Sequence, residues 1–332
     1  MSNVAVSVCI SVHNTADYLP RCLDSVIDQS LESIEIVLVN NGSTDNSEVI
    51  MHDYEKRYPT RKFVIVSQED RGLAQGRQSG VNHASGDYIT FLDADDLVSP
   101  EAYQLMYETA IENKAEIVEI ETVRGNEIIT SPYEGTVDST QILKDYFNGN
   151  GIPSMLWMRL YKRELLAKPV FPALYTNNED MFALPCLLSG AKKISFIKKP
   201  LHTYSIDNDS AVMLNLKKRN SRKYFESRTK VLNMFSHIEN FIGEQDIQKS
   251  YKKEYERFKA RVILSYVLTR FDGVSYDEKM NALQAILNVS SIKETEKVIN
   301  EICHTQNDTT YRLIKMIGIK NTYKIYKIIH KI

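Results

Sequence analysis

Residues 87–96 read DYITFLDADD, an apolar run that passes directly into a cluster of carboxylates. The apolar part, residues 87–92, is rich in aromatic and β-branched side chains and predicts a buried β-strand. Carboxylates this close together repel one another unless a cation or hydrogen bonds compensate them. Mg²⁺ and Mn²⁺ bind carboxylate and phosphate oxygens together, so Asp93 and Asp95 predict a site for a divalent cation and a phosphorylated ligand. Helix capping is the structural alternative for Asp96.

Strands and helices alternate along the chain on both sides of this stretch. Continuous apolar runs predict strands, and apolar residues at helical spacing predict helices. The predicted strands are residues 4–12, 35–39, 63–67, 87–92 and 115–121, and the predicted helices are residues 16–29, 46–58 and 73–83. This alternation predicts an α/β fold with a mostly parallel sheet that is flanked by helices on both faces.

Polar residues gather where three of the predicted strands end. Residues 11–14 follow the first strand, residues 40–45 follow the second, and residues 93–96 follow the fourth. Ligands of such sheets bind beyond the carboxyl ends of the strands. One polar cluster would be explained as a loop, but three in register predict a shared pocket. Residues 72–77 (GLAQGR) lack the lysine of a P-loop and predict a helix entry instead of a phosphate cradle.

Several blocks of sequence occur in an order that is similar to the bacterial family 2 glycosyltransferases. The blocks are VSVCISVHN, LDSVIDQS, EIVLVNNGSTDNS, GLAQGRQSGVNHASGDYITFLDADD, LYKREL and NNEDMF, dense over residues 4–120 and thinner to about residue 213. The resemblance implies a GT-A fold with a Rossmann-like nucleotide-binding sheet. It also implies inverting hexosyl transfer from a nucleotide sugar, with a UDP-sugar as the expected donor and Mn²⁺ or Mg²⁺ as the cofactor. The implied acceptor is a saccharide or a lipid-linked glycan of the cell surface.

The same resemblance assigns the acidic motif and a neighbouring arginine to the donor. Asp93-Ala94-Asp95 matches the DxD motif of the family, which makes Asp95 the principal metal ligand. Asp93 would lie near the ribose of the donor or in the metal shell. Arg77 would lie near the diphosphate or the acidic cluster, and an exposed helix arginine is the alternative.

Three residues of the first loop and one of the second are expected beside the nucleotide base. Ser11, His13 and Asn14 match the first loop, although the family usually has proline and tyrosine in place of Ser11 and His13. Asn41 stands where the family commonly has an acidic residue that contacts uracil. An amide both accepts and donates hydrogen bonds, so Asn41 leaves the choice of base less determined.

The second half supplies an expected base. Asp180 and Glu179 match the ED motif of the family, in which Asp180 would take the proton of the acceptor hydroxyl and Glu179 would support it. A helix N-terminal pair is the alternative for these two residues. His202 would complete the metal shell, although a lone histidine is usually structural. Trp157 would stack on an acceptor sugar or pack in the core.

The chain has 332 residues, a formal net charge of −2 and four scattered cysteines. The near-neutral charge gives no expectation of nucleic-acid binding. Residues 1–215 are expected to form the glycosyltransferase domain, with a donor half over 1–120 and an acceptor half over 121–215. Residues 216–332 are expected to be helical. The cysteine pattern and the absence of a run of about 18 apolar residues predict a cytoplasmic protein.

Residues 311–332 carry lysines on one helical face and isoleucines on another. This pattern is typical of a basic amphipathic helix on the anionic inner face of the cytoplasmic membrane. A helix docked on the protein or a contact between copies in a homo-oligomer is the alternative.

Two other functional classes compete with sugar transfer. A nucleotidyltransferase normally carries a glycine-rich loop with lysine or arginine after the first strand, whereas this chain reads HNTADYL there. A catalytically inactive scaffold that binds nucleotide sugars is disfavoured by the presence of Asp93, Asp95 and Asp180.

Overall fold

The computed structural model describes residues 4–171, 178–206, 225–226, 229, 234–268, 274–286, 296–297, 299, 319–320 and 322–323. The chain divides into two compact units. The first comprises residues 1–146 and 151–210, and the second comprises residues 147–150 and 211–332. The predicted boundary at residue 215 lies outside the described residues.

The first unit contains all ten strands of the described chain. They are β1 Val6–Val12, β2 Ile34–Asn41, β3 Lys62–Gln68, β4 Tyr88–Asp93, β5 Leu97–Val98, β6 Ile117–Arg124, β7 Glu127–Ile129, β8 Gly135–Asp138, β9 Arg159–Lys162 and β10 Lys193–Tyr204. The helices up to residue 190 are α1 Leu19–Ile27, α2 Ser47–Arg57, α3 Leu73–His83, α4 Ala102–Asn113, α5 Ser139–Asn148 and α6 Asp180–Gly190, with a 3-10 turn over Arg163–Leu166.

The strands form one sheet in the order β3-β2-β1-β4-β9-β6-β10-β5, with β7 beside β6 and β8 beside β10. Strand β1 pairs in parallel with β2 and β4, and β2 pairs in parallel with β3. The register places Val12 opposite Asn40 and Ser11 opposite Asp93. The three polar segments that follow β1, β2 and β4 therefore lie at one edge of the sheet, because the carboxyl ends of neighbouring parallel strands meet there.

The sheet is parallel from β3 to β4, as predicted, and mixed beyond β4. Strand β9 lies between β4 and β6 and runs antiparallel to both. The segment that leads into β9 begins at the carboxyl edge of the sheet, where the Ser154 hydroxyl meets Asp180. A strand that starts at this edge must run back against its parallel neighbours. Strands β6 and β10 again pair in parallel.

Side chains of β1 and β2 are buried on both faces, which explains their continuous apolar sequences. Helix α3 packs on one face through two glycines. A Cβ on Gly76 would lie 2.1 Å from the Ser11 Oγ, and a Cβ on Gly80 would lie 3.0 Å from the Cβ of Cys9. A side chain at residue 76 would therefore clash with Ser11, and one at residue 80 would be in tight contact with Cys9. The predicted helix over residues 73–83 is confirmed residue for residue.

The second unit is helical where it is described, as predicted. Its main helices are α7 Met234–Ile242, α8 Lys252–Leu268 and α9 Tyr276–Ile286. The Phe147 ring packs against Tyr255 at 5.2 Å and against Phe258 at 5.5 Å between ring centroids. Among the described residues, no helix is long and apolar enough to cross a bilayer.

Only four residues of the predicted amphipathic tail, residues 311–332, are described. Ile319 and Thr322 are buried, and the Tyr323 ring centroid lies 5.1 Å from that of Tyr276. This short part of the tail therefore packs on the helical unit. The remaining tail residues lie outside the described part of the chain.

Candidate active site

The acidic loop after β4 is held from two sides. The Asp96 amide donates to the Asp93 carbonyl oxygen at 3.0 Å and closes a turn around Ala94 and Asp95. On one side, the Ser205 amide donates to Asp96 Oδ1 at 2.8 Å, and the Ser205 hydroxyl donates to the Asp95 carbonyl. On the other side, Arg21 Nη2 donates to the same carbonyl at 3.2 Å. The loop is therefore fixed through its backbone and the Asp96 side chain, and none of these contacts uses the Asp95 carboxylate.

The acidic loop carries more negative charge than its surroundings compensate. Burial, followed by the charges of Asp96 and Asp93, raises the pKa of Asp95 to about 7. Burial and the charge of Asp93 likewise raise the pKa of Asp96 to about 8. Both shifts have the sign expected for buried carboxylates that repel one another.

Arg77 connects the acidic loop to the second predicted motif. Its Nη2 lies 2.7 Å from Asp93 Oδ1, and its Nη1 donates to Glu179 Oε1. The guanidinium is 6% exposed, and the neighbouring carboxylates raise its pKa against the opposing effect of burial. The predicted proximity of Arg77 to the acidic cluster is thus observed. Its two terminal nitrogens are both paired with carboxylates of this chain.

Asp180 and Glu179 lie at the start of α6, where the backbone amides favour negative charge. Burial raises the pKa of Glu179 to about 7, although Arg77 lowers it. Burial also raises the pKa of Asp180, again opposed by Arg77. The Asp180 carboxylate accepts a hydrogen bond from the Met181 amide at 2.8 Å and one from the Ser154 hydroxyl at 3.3 Å. A carboxylate with a raised pKa is suited to accept a proton near neutral pH.

The loop after β1, which contains His13 and Asn14, is attached to the loop after β2. His13 Nδ1 lies 2.9 Å from the Asn41 carbonyl oxygen, so this nitrogen carries the proton. The Thr44 amide donates to the Asn14 side chain at 2.7 Å. Asn14 has a φ of 53°, a left-handed conformation that asparagine tolerates. Both His13 and Asn14 are exposed, so their side chains are open to a ligand.

Asn41 lies at the same edge, but its side chain is already hydrogen-bonded. Its oxygen accepts from Gln68 Nε2 at 2.7 Å and from the Arg71 amide at 3.4 Å. Its amide nitrogen donates to Asp70 Oδ1 at 3.3 Å. Asn41 therefore orders the residues after β3, and the exposed carboxylate beside it belongs to Asp70.

His202 and Trp157 form a buried stack beside the acidic loop. Their ring centroids are 4.1 Å apart with an interplanar angle of 13°. Trp157 is 6% exposed, so the face toward His202 is closed to a sugar. His202 Nε2 lies 3.4 Å from Asp96 Oδ2, and neither ring nitrogen makes a hydrogen bond to the described residues. Burial lowers the pKa of His202 to about 3, which keeps the imidazole neutral.

The residues present fit a divalent cation that is completed by a ligand. Asp93 and Asp95 offer the hard oxygens that Mg²⁺ and Mn²⁺ prefer, and burial together with the charges of Asp96 and Asp93 raises the pKa of Asp95. The buried imidazole of His202, whose ring nitrogens make no hydrogen bond to the described residues, adds a neutral donor beside Asp96. Within the described ranges, no three acidic, cysteine or histidine side chains already converge on one point. A cation would therefore depend on oxygens of a bound diphosphate.

Two residues of this site were not predicted from the sequence. Ser154 contacts Asp180, and Ser205 holds the acidic loop. Asp96, which the sequence analysis included in the acidic cluster, lies against His202. The two serines follow no pattern in the sequence, because their roles arise from contacts over 26 and 109 residues.

Comparison with known sequences gives a family match over the same region. The family described as "Glycosyl transferase family 2" matches residues 7–168. EpsH of Bacillus subtilis, whose name assigns it provisionally to the glycosyltransferases, is 30% identical over 270 residues, which cover 78% of this chain and 75% of EpsH. The cholesterol galactosyltransferase of Borreliella burgdorferi is 25% identical over 309 residues, covering 87% of this chain and 85% of that protein.

The fold is also similar to solved structures. A fragment of S. aureus TarS in complex with UDP-GlcNAc superposes with a TM-score of 0.64 at 15% identity, covering 98% of this chain and 92% of the fragment. The longer TarS chain is covered over 52% of its length. At this identity the likeness shows the fold alone, and that fold is GT-A.

Proposed function

The chain belongs to glycosyltransferase family 2, and on this basis we propose that it catalyses inverting, metal-dependent transfer of a hexose from a UDP-sugar to an acceptor hydroxyl. The observation that supports the mechanism best is the connection through Arg77, which contacts both Asp93 and Glu179. Through this arginine the residues proposed for the donor are connected to Glu179, the chain neighbour of the proposed base Asp180.

Each residue of the site has one role in the proposed transfer step. The acceptor oxygen attacks the anomeric carbon while its proton moves to the Asp180 carboxylate, and the bond from the anomeric carbon to the diphosphate breaks. Attack from the side opposite the leaving group inverts the anomeric configuration. Asp95 and Asp93 would hold the divalent cation, with His202 as a third ligand, and the cation would neutralise the departing diphosphate. Ser11, His13 and Asn14 would contact the nucleotide.

The acceptor is proposed to be a saccharide or a lipid-linked glycan. The chain is similar to an enzyme that is named for galactosyl transfer to cholesterol, which supports an acceptor with a lipid part. We place the enzyme in the cytoplasm, with the basic tail, residues 311–332, as a membrane contact. Binding of the intact protein to anionic vesicles, lost on deletion of 311–332, would support the membrane contact, and failure of the intact protein to bind would contradict it.

The proposed reaction is tested by measuring nucleotide release with Mn²⁺. A thermal-shift panel of nucleotide sugars first identifies the donor, because a tightly bound ligand raises the Tm. Release of UDP from that donor should then require the metal and fall at least a hundredfold in Asp95→Asn and in Asp180→Asn. Asp95→Asn should also weaken Mn²⁺-dependent donor binding, whereas Asp180→Asn should leave it intact. Release of pyrophosphate from a nucleoside triphosphate, or UDP release that survives both substitutions, would contradict the proposal.

A further inference from the structure

A buried ion pair lies behind the segment that contacts Asp180. Arg159 of β9 faces Glu119 of β6 in the strand register, and its Nε donates to Glu119 Oε2 at 2.8 Å. Arg159 is among the largest fully buried side chains of the described residues. Burying two charges is expensive unless the remaining donors are also satisfied. The contacts of the two terminal guanidinium nitrogens therefore show which part of the backbone this ion pair holds in place.

The two terminal nitrogens of Arg159 bind the segment before β9, and Nη2 also lies 2.6 Å from Glu119 Oε2. Nη1 donates to the Met155 carbonyl at 2.7 Å, and Nη2 donates to the Pro153 carbonyl at 2.8 Å. The planar guanidinium has its donors in a rigid fork, so two carbonyls that it binds are fixed relative to each other. Ser154 lies between these two carbonyls, and its backbone is thus held on both sides.

The Ser154 hydroxyl is directed at the base that the proposed function assigns. Its Oγ donates to Asp180 Oδ2 at 3.3 Å, while the Met181 amide donates to Asp180 Oδ1 at 2.8 Å. The terminal torsion of an aspartate is broad and roughly two-fold, so one hydrogen bond alone fixes the carboxylate plane poorly. A donor at each oxygen restrains that plane, and Oδ2 retains a lone pair for an acceptor proton.

We propose that Ser154 is a positioning residue for Asp180 and that the Arg159–Glu119 pair holds Ser154 in place through the carbonyls of residues 153 and 155. This inference rests on the proposed function, because it presupposes that Asp180 is the base. Ser154 contacts the proposed base directly, and Arg159 contacts the backbone on both sides of Ser154. Loss of either should impair proton acceptance while leaving donor binding unchanged.

The test measures UDP release with Mn²⁺ separately from donor affinity. Ser154→Ala should lower kcat about tenfold, because a catalytic group that is misplaced by a fraction of an ångström loses much of its effect. The donor KM and the donor Kd from calorimetry should stay within twofold of the wild type, as should the Tm shift with donor. Ser154→Thr keeps a hydroxyl at the same atom and should restore most of kcat.

Arg159→Lys tests whether the Arg159–Glu119 pair holds Ser154 in place. Lysine keeps the charge beside Glu119 but cannot grip two carbonyls with a planar fork, so kcat should fall with the donor Kd retained. Ser189→Ala, which removes a hydroxyl that donates to the Cys186 carbonyl within α6, is the matched control and should leave kcat unchanged.

The outcomes separate this inference from the proposed function. If Asp180→Asn abolishes UDP release but Ser154→Ala keeps full kcat, the positioning role is refuted and the proposed base stands. If Ser154→Ala and Ser154→Thr lose kcat equally, the hydroxyl is not the active feature and the inference is also refuted. If Asp180→Asn keeps full activity, or if the wild type releases no UDP, the proposed function fails and the positioning role fails with it.

Discussion

The guanidinium of Arg77 lies 2.7 Å from the carboxylate of Asp93 and contacts Glu179 with its other terminal nitrogen. One buried cation therefore serves two carboxylates that come from different halves of the first unit. Asp180 adds a third negative charge close enough to raise the pKa of Arg77. The balance of charge at the site thus depends on a single side chain of α3.

Replacing Arg77 should destabilise the protein strongly. Arg77→Met leaves Asp93 and Glu179 without their shared counter-charge, and breaking a buried pair typically costs about 3–5 kcal/mol. We expect a lower urea midpoint for the first unit and loss of UDP release. Arg163→Met removes an exposed arginine and should change neither quantity. An Arg77→Met protein with wild-type stability at pH 8 would show that the pair is not needed for charge compensation.

The acidic loop should make the metal-free protein less stable as the pH rises. The pKa of Asp95 is raised to about 7, compared with about 3.9 for an unfolded aspartate. Between these values the folded state binds a proton that the unfolded chain has released, so stability falls with rising pH. The Tm with EDTA should decrease from about pH 4 to about pH 7 and continue to fall toward pH 8, because Asp96 titrates at about 8.

Asp95→Asn should flatten this decrease and raise the Tm at pH 8, because it removes a carboxylate whose ionisation the fold opposes. In the presence of UDP, Mn²⁺ should raise the Tm of the wild type at pH 8 and should have little effect on Asp95→Asn. Asp53→Asn, on the exposed surface of α2, should keep the wild-type pH dependence. A Tm of the wild type that rises over the same pH range would show that the loop is already compensated.

Alanine at position 76 should disturb the first loop through a direct clash. Its Cβ would lie 2.1 Å from the Ser11 Oγ and 3.1 Å from the Ser11 Cβ. Overpacking of this kind typically costs about 1–3 kcal/mol, more than the gain of about 1 kcal/mol in helix propensity. Gly76→Ala should lower stability and weaken UDP binding measured by calorimetry. The double variant Ser11→Gly/Gly76→Ala removes both contacting atoms and should recover much of the stability, and failure to recover would place the strain elsewhere.

Trp157 should be important for stability more than for acceptor affinity. Its ring is buried against His202 and Tyr204, at 4.1 and 5.7 Å between centroids. Trp157→Ala should cost about 3–5 kcal/mol in urea unfolding, because it leaves a large cavity. Trp157→Phe should fold and keep an acceptor KM within about threefold of the wild type. A tenfold higher acceptor KM with unchanged stability would instead support stacking of Trp157 on the acceptor.

The site residues that directly follow an apolar strand can be predicted from the sequence, because they depend on a local pattern. Strands β1, β2 and β4 are apolar runs followed at once by polar residues, so their shared edge could be predicted from alternation with helices. The antiparallel direction of β9 could not be predicted, because it depends on the edge of the sheet at which the preceding irregular segment ends. Likewise, Asn41 was identified by position, but its oxygen is occupied by Gln68, a contact that only the parallel pairing of β2 with β3 brings about.

The bridge made by Arg77 also has a consequence for biosynthesis. Arg77 and Glu179 are 102 residues apart in the chain. A chain emerging from the ribosome therefore exposes the acidic loop and Arg77 well before Glu179 has been made, and the loop-closure entropy for this contact must be overcome late. The donor-side strands can pair early, because β1, β2 and β4 all lie within the first 93 residues. A truncated chain that ends before α6 would thus lack the proposed base and also Ser205, which holds the acidic loop, so an abortive translation product could not transfer a sugar.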